Sequence, residues 1–193
     1  FQLIIPVAGP NDDFKQFNNH KLLIDISDKK LIEWVQISRP YKLSDGIFIF
    51  QKKHNEKYNL VNKISKLLGK RIKYFLLNSY TDGAPQSILK IKHMIDPKKP
   101  LFIDLLDQYI DFKKFFKFCL LNKYDGCVPI FQSLYFNRGY SILDKKKYIK
   151  KISEKDVKPI STNSTGCVSY FREARYFFDH SELMIKKKKV SKN

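Results

Sequence analysis

Apolar residues come in short bursts along this chain, and the way each burst ends is informative. Leu3-Ile4-Ile5-Pro6-Val7-Ala8 runs into the turn residues Gly9-Pro10. A short continuous apolar run closed in this way reads as a strand buried on both faces. The loop after such a strand lies on the edge where open α/β sheets hold ligands. Leu31, Trp34, Val35 and Ser38 then fall on one side of a helix, and residues 36–46 read as its end and a loop closed by Pro40 and Gly46. Ile47-Phe48-Ile49-Phe50 is a second strand. Within 58–68, Leu60, Val61, Ile64, Leu67 and Leu68 have helical offsets, and Gly69 is a good stop. Arg71 to Leu77 is strand-like. Strand, helix, strand, helix, strand predicts a parallel sheet with right-handed crossovers.

Small and polar residues from Tyr80 to Ser87 precede a predicted helix through Ile88, Leu89, Ile91, Lys92 and Ile95. This is either an ordinary helix entry with Pro85 in the first turn or an anion and nucleotide edge built on outward N–H groups. Leu101-Phe102-Ile103-Asp104 then runs into Asp107 and Asp111. Hard divalent cations bind phosphate substrates through one or two carboxylates plus water, so an aspartate at a strand's end can hold Mg²⁺ against a triphosphate. Asp104 and Asp107 would point to opposite faces of a straight strand, so both reach one ion only if the backbone turns between them. In the plainer reading Asp111 caps a helix from Phe112 to Leu121 and Asp104 pairs with a lysine. Tyr124 to Phe131 reads as a turn and a strand. Gly139 to Asp144 and Tyr148 to Lys155 read as a hairpin turning at Lys145-Lys146. Ile160 to Phe171 is a loop feeding a strand, and 177–185 is a last amphipathic helix.

The totals narrow the class. At 193 residues, 1–193 is expected to be one domain with a sizeable core, and 43 % apolar and 15 % aromatic residues exclude disorder. No apolar run approaches the ~20 residues of a spanning helix, and no basic leader with a cleavage site precedes the first strand. A cytoplasmic location is expected. Cys119, Cys127 and Cys167 are odd in number and widely spaced, as reduced core thiols would be. The net charge of +18 raises nucleic acid as a partner. The lysines, however, are spread among abundant Ile, Asn, Phe and Tyr, no base-reading motif accompanies them, and the dense run Lys186 to Lys189 reads as a solvated tail. Nucleic acid is therefore not the expected partner, and a homo-oligomer is left open.

In order and content these segments resemble the sugar nucleotidyltransferases of the glucose-1-phosphate thymidylyltransferase type, especially those of capsule and lipopolysaccharide pathways. Ala8-Gly9 stands where that family has its phosphate loop, and Lys21-Leu22-Leu23 where it has a Pro-Lys-Pro-Leu-like segment. Asp107-Gln108-Tyr109-Ile110-Asp111 stands at the metal segment, with Asp107 in the metal aspartate's place. Gly83 and Gln86 occupy the nucleobase side. Gly126, the Glu154-Lys155 pair and the Gly166 segment occupy the sugar side. The resemblance implies a three-layer α/β/α domain with a mostly parallel, Rossmann-like sheet and an added β-hairpin. It implies Mg²⁺ as cofactor, a nucleoside triphosphate and a sugar phosphate as partners, and a role in surface polysaccharide precursor synthesis. It also implies a chain shortened or excised at its C-terminus, since no position matches the family's second metal aspartate.

The reaction so implied joins a sugar 1-phosphate to a nucleoside triphosphate and releases pyrophosphate. Lys21 would offset charge at the α-phosphate, Asp107 would hold Mg²⁺ and Lys155 the incoming phosphate. One part departs from the family. The family loop is Gly-x-Gly-x-Arg, whereas this chain reads Gly9-Pro10-Asn11-Asp12-Asp13. Asp13 stands where an arginine should meet the leaving pyrophosphate, and losing one such contact costs ~2–4 kcal/mol at the transition state. Two alternatives follow: a sugar-nucleotide-dependent glycosyltransferase with Asp104 and Asp107 as metal carboxylates, and a catalytically degenerate nucleotide-binding domain.

Overall fold

The computed structural model describes residues 1–135, 138–154 and 160–187, without the side chains of Asp13, Lys15 and Glu154. Its strands are β1 (Gln2–Val7), β2 (Asp25–Ile26), β3 (Lys29–Lys30), β4 (Ile47–Gln51), β5 (Lys73–Leu77), β6 (Leu101–Asp104), β7 (Gly126–Cys127), β8 (Ile130–Gln132), β9 (Gly139–Leu143), β10 (Ile149–Glu154), β11 (Asn163–Thr165) and β12 (Val168–Phe171). Its α-helices are α1 (Leu31–Ser38), α2 (Lys52–Tyr58), α3 (Leu60–Leu67), α4 (Ala84–Leu89), α5 (Lys113–Leu121) and α6 (Ala174–Lys186). The central sheet has the order β5-β4-β1-β6-β12-β7. Its first four strands are parallel, while β12 runs antiparallel to both β6 and β7. The predicted α/β/α architecture with a mostly parallel sheet is what the chain adopts.

Alternation along the strands sorts side chains between two helix layers. Leu3, Ile5, Val7, Phe48, Phe50 and Phe102 pack on one face with Ile32 and Val35 of α1, Leu60 and Ile64 of α3 and Cys119 of α5. Ile4, Ile49, Leu101 and Ile103 pack on the other with Ile88 of α4 and Ala174, Phe177 and Phe178 of α6. The inward face of α1 is offset from the expected one. Ile32, Val35 and Ser38 are buried, while Trp34 lies at the edge and donates its indole N–H to the Ile26 carbonyl at 2.8 Å.

Three further differences have local causes. Lys52–Tyr58 is helical although only His54 of it is buried, so no apolar period marks it. Asn59, at φ 54°, separates this helix from α3. The helix expected through Ile95 ends at Leu89 and gives way to a single 3₁₀ turn, Lys92–Met94. The expected hairpin, β9–β10, is widened by β11 and β8 into a four-stranded sheet.

Candidate functional site

The carboxyl ends of β1, β4 and β6 and the loops beyond them form one rim. β1 lies between β4 and β6 in register, with Ile4 opposite both Ile47 and Ile103. The loop after β1 is braced by two asparagines. The Asn11 amide donates to the Asn19 carbonyl at 2.9 Å, and its oxygen accepts the Lys21 backbone N–H at 2.9 Å. Asn19 in turn accepts the His20 N–H and donates to the Leu23 carbonyl. Lys21 is thus fastened, through its own backbone, next to the strand end that carries Ala8 and Gly9. A Cβ added at Gly9 would meet nothing within 4 Å, so the space above this residue is open. Ala8 is buried, and its carbonyl accepts from Gln51 Nε2, which also donates to the Ser79 carbonyl. Gln51 thereby ties the ends of β1 and β4 to the loop that leads to α4.

Behind the first loop lie two imidazoles with ring centroids 5.7 Å apart. His20 is 1 % exposed, and its Nδ1 accepts the Leu22 N–H, which fixes the neutral tautomer with the proton on Nε2. Burial, then the charges of His54 and Lys21, push the His20 pKa down to about 3. The His54 pKa is also lowered, by burial first and then by Lys53, with Asp12 acting in the opposite direction.

Gly83 precedes α4 at φ +113°, a conformation in which a side chain would be strained. Gln86 turns back on this loop: its oxygen accepts the Asp82 N–H and its nitrogen donates to the Asp82 carboxylate, both at 3.1 Å. Ser87 is buried against Thr81 and the Gly83 carbonyl.

At the end of β6 the two aspartates have separate fates. Asp104 is fully buried and pairs with Arg39, not with a lysine: Arg39 Nε reaches Oδ2 at 2.6 Å and Nη2 reaches Oδ1 at 3.1 Å. Tyr41 donates its hydroxyl to the same carboxylate at 2.9 Å, and the Leu106 N–H does so at 3.0 Å. Burial opposes the Arg39 charge, but the hydrogen bonds and charge of Asp104 outweigh it and hold the guanidinium pKa above its ordinary value. With its oxygens so engaged, Asp104 is not available to a metal. The backbone does turn between the two aspartates, through Leu106 at φ 57°, and the turn is pinned on both sides. Arg39 donates to the Gln108 carbonyl, and the Gln108 side-chain oxygen accepts the Cys167 N–H. Asp107 stands exposed on this turn. It lies beside Cys167, whose thiol pKa is raised by burial first and then by Asp104 and Asp107.

Gly166 sits against the same turn. Its N–H donates to the Pro129 carbonyl at 2.8 Å, and an added Cβ would stand 2.7 Å from the Pro129 ring. Ala8, Gly9, Lys21, Asp107 and Gly166 belong to strand ends or loops of this rim, and Gly83 and Gln86 lie beside it, at the start of α4 after β5. Gly126 does not: it pairs with Phe171, which pairs with Leu101 at the amino end of β6. Pro129 is the residue that its segment brings to the rim. The side chain of Glu154, and Lys155, lie outside the described residues. Among those described, no three His, Cys, Asp or Glu side chains form a ready-made metal site. A Mg²⁺ held by one carboxylate together with phosphate oxygens and water needs only Asp107 from the protein.

Asn11, Asn19, Gln51, Arg39 and Gln108 organise this rim and none stood out in the sequence. Asn11 was visible there only as the departure from a glycine.

This layout is the nucleotidyltransferase-type α/β fold. Solved structures with it include one assigned as a glucose-1-phosphate thymidylyltransferase from Bacillus anthracis, in complex with sucrose, at 16 % identity and a TM-score of 0.73 over 96 % of this chain and 74 % of that one. A nucleoside-diphosphate-sugar pyrophosphorylase from Vibrio cholerae RC9 matches at 16 % identity and TM-score 0.72, over 100 % and 80 % of the two chains. A UDP-glucose pyrophosphorylase complexed with UDP-glucose matches at 16 % identity and TM-score 0.64, over 94 % and 78 %. No protein-family model matches the sequence, and no curated protein does. Among the described residues no helix is long and apolar enough to cross a membrane.

Proposed function

We propose that this chain binds a nucleoside triphosphate along the carboxyl rim and transfers its nucleotidyl group to a sugar 1-phosphate, as the sugar nucleotidyltransferases do. The observation that carries this reading is the meeting of three features on adjacent strands: open space over Gly9, Lys21 fastened beside it, and Asp107 exposed on a braced turn after β6. In the reaction an oxygen of the sugar phosphate attacks the α-phosphorus, the bond to the bridging oxygen breaks, and pyrophosphate leaves with the electron pair. Alignment and charge neutralisation are the main demands of such a step. Lys21 supplies a positive charge at the α-phosphate. Gly9 lets the triphosphate approach the backbone. Asp107 would hold Mg²⁺, which when bound would neutralise phosphate charge. Gly83 and Gln86 serve the base and Gly166 the sugar, while the resemblance assigns the sugar hydroxyls to Glu154 and the sugar phosphate to Lys155. The nucleotide sugar so made is the activated precursor for a surface polysaccharide.

A second reading, nucleotide binding without turnover, is favoured by Asn11. Its amide takes up the Lys21 N–H and the Asn19 carbonyl, so this part of the loop is already closed on itself. The glycosyltransferase reading loses support, because the Asp104 carboxylate it required is spent on Arg39.

The test is a panel of nucleoside triphosphates and sugar 1-phosphates, with and without Mg²⁺, read by pyrophosphate release and by melting temperature. Transfer predicts pyrophosphate release with one base, lowered roughly 10²–10³-fold in Lys21→Met and uncoupled from Mg²⁺ in Asp107→Asn. A raised midpoint without pyrophosphate supports the binding reading. No shift with any nucleotide refutes both.

A further inference from the structure

A second surface lies beyond β7, at the edge of the central sheet and three strands from β1. The end of α5 and the turn between β9 and β10 enclose an aromatic hollow of about 450 Å³, lined by Phe118, Tyr124, Cys127, Lys146, Tyr148 and Ile149 among others. Phe118 and Tyr124 stack at 5.6 Å, and Tyr124 meets Tyr148 edge-on at 5.8 Å. Gly126, also in the lining, is level with Leu101 at the amino end of β6, which sets the hollow away from Asp107 and Gly9.

Two properties of this surface stand out together. Large apolar side chains project from it: Leu121 is 71 % exposed, Tyr148 52 % and Phe118 46 %. Lys146 and Lys147 line the hollow itself, and the chain around it, 113 to 151, carries nine lysines and one arginine against two aspartates. One aspartate is taken by an arginine and the other is turned onto the backbone, so the stretch keeps a large positive excess. Asp125 pairs with Arg172 at 2.6 Å, and Asp144 accepts the Lys146 and Tyr148 N–H groups within the turn. None of the nine lysines is in an ion pair among the described residues.

We infer that this face docks on an anionic lipid bilayer. Phosphates of a nucleic acid would reward the lysines, and unpaired bases could stack on Phe118 and Tyr124, but nothing in a nucleic acid rewards Leu121, the most exposed apolar side chain of this face. A second copy of the chain would bring like charge against like charge. An anionic bilayer offers both a negative headgroup layer for the lysines and an apolar boundary for Leu121 and Phe118, with tyrosines at the level between. The inference is independent of which reaction the rim carries out.

The experiment is co-sedimentation of the full chain with vesicles of neutral phosphatidylcholine, or of phosphatidylcholine with 30 % phosphatidylglycerol, at about 0.1 M salt. Binding is expected only to the anionic vesicles. Lys146→Glu with Lys147→Glu should lower the partition coefficient by at least roughly 30-fold, the product of two surface lysines at the fivefold each supplies. Leu121→Ser with Phe118→Ser should also lower it at unchanged net charge, with circular dichroism and a melt confirming that the variant is folded at the assay temperature. Lys63→Glu with Lys66→Glu on α3 is the control of equal charge and should change binding several-fold less. Equal loss in that control, or retention of full binding in the Leu121/Phe118 variant, means that net charge alone adsorbs the protein and overturns the inference. So does failure to bind anionic vesicles, or duplex DNA competing in the parent but not in the Lys146/Lys147 variant.

Discussion

Removing the Arg39 charge isolates what the buried pair contributes. Both side chains are fully buried, and Asp104 takes two hydrogen bonds from Arg39 in addition to those from Tyr41 and Leu106. Arg39→Met leaves the carboxylate with neutral donors only and should cost about 3–5 kcal/mol. For a chain of 193 residues each kcal/mol lowers the midpoint by about 2–4 °C, so the expected fall is on the order of 10–15 °C. Asp104→Leu strands the guanidinium, which keeps Ser38, the Gln108 carbonyl and the Phe112 face, and should cost a similar amount. The double variant replaces the pair by apolar side chains and should recover to within roughly 2 kcal/mol of the parent, a coupling of at least about 4 kcal/mol. Stability and site then separate. The double variant still lacks the acceptor for Leu106 N–H and the donor to Gln108, so the turn that presents Asp107 stays loosened and Mg²⁺-dependent nucleotide affinity should not return. Urea melts of the four proteins, with nucleotide titrations, check both statements. Single variants each within about 1 kcal/mol of the parent, or a double variant as unstable as the sum, would refute the reasoning.

Two further outcomes follow from neighbouring geometry. The native His20 stays neutral down to about pH 3 whereas the unfolded one binds a proton near 6.5. Stability from this group is therefore full above pH 6.5 and lost as pH falls, by about 2 kcal/mol at pH 5; denaturant melts at pH 7.5 and 5.0 should show that slope, and His20→Asn should flatten it. Gly166→Ala places a methyl group 2.7 Å from the Pro129 ring and should cost about 1–3 kcal/mol, measured by thermal melting, with the loss rescued in part by Pro129→Ala.

The strands were legible because their signal is local. Leu3 to Ala8 and Ile47 to Phe50 are unbroken apolar runs, and such runs are buried whatever lies around them. Lys52–Tyr58 was not legible, since a helix that buries only His54 leaves no period in the sequence. The inward face of α1 was displaced because Trp34 satisfies its N–H at the Ile26 carbonyl and so stays at the edge. Asp107 could be picked out by its place after a strand, but nothing local separates its role from that of Asp104. That separation depends on Arg39, 65 positions away in the chain.

The sequence by itself determined the α/β class, the alternation of strands and helices along the chain and the loops that could meet a phosphate. These follow from apolar periods and turn residues, which act over a few residues at a time. Only the tertiary structure decided which aspartate is a buried counter-ion and which is exposed, how Asn11 fastens Lys21, and that Gly126 lies away from the rim. Each of those outcomes comes from a hydrogen bond or strand register between distant segments, and such pairings exist only once the chain has closed on itself.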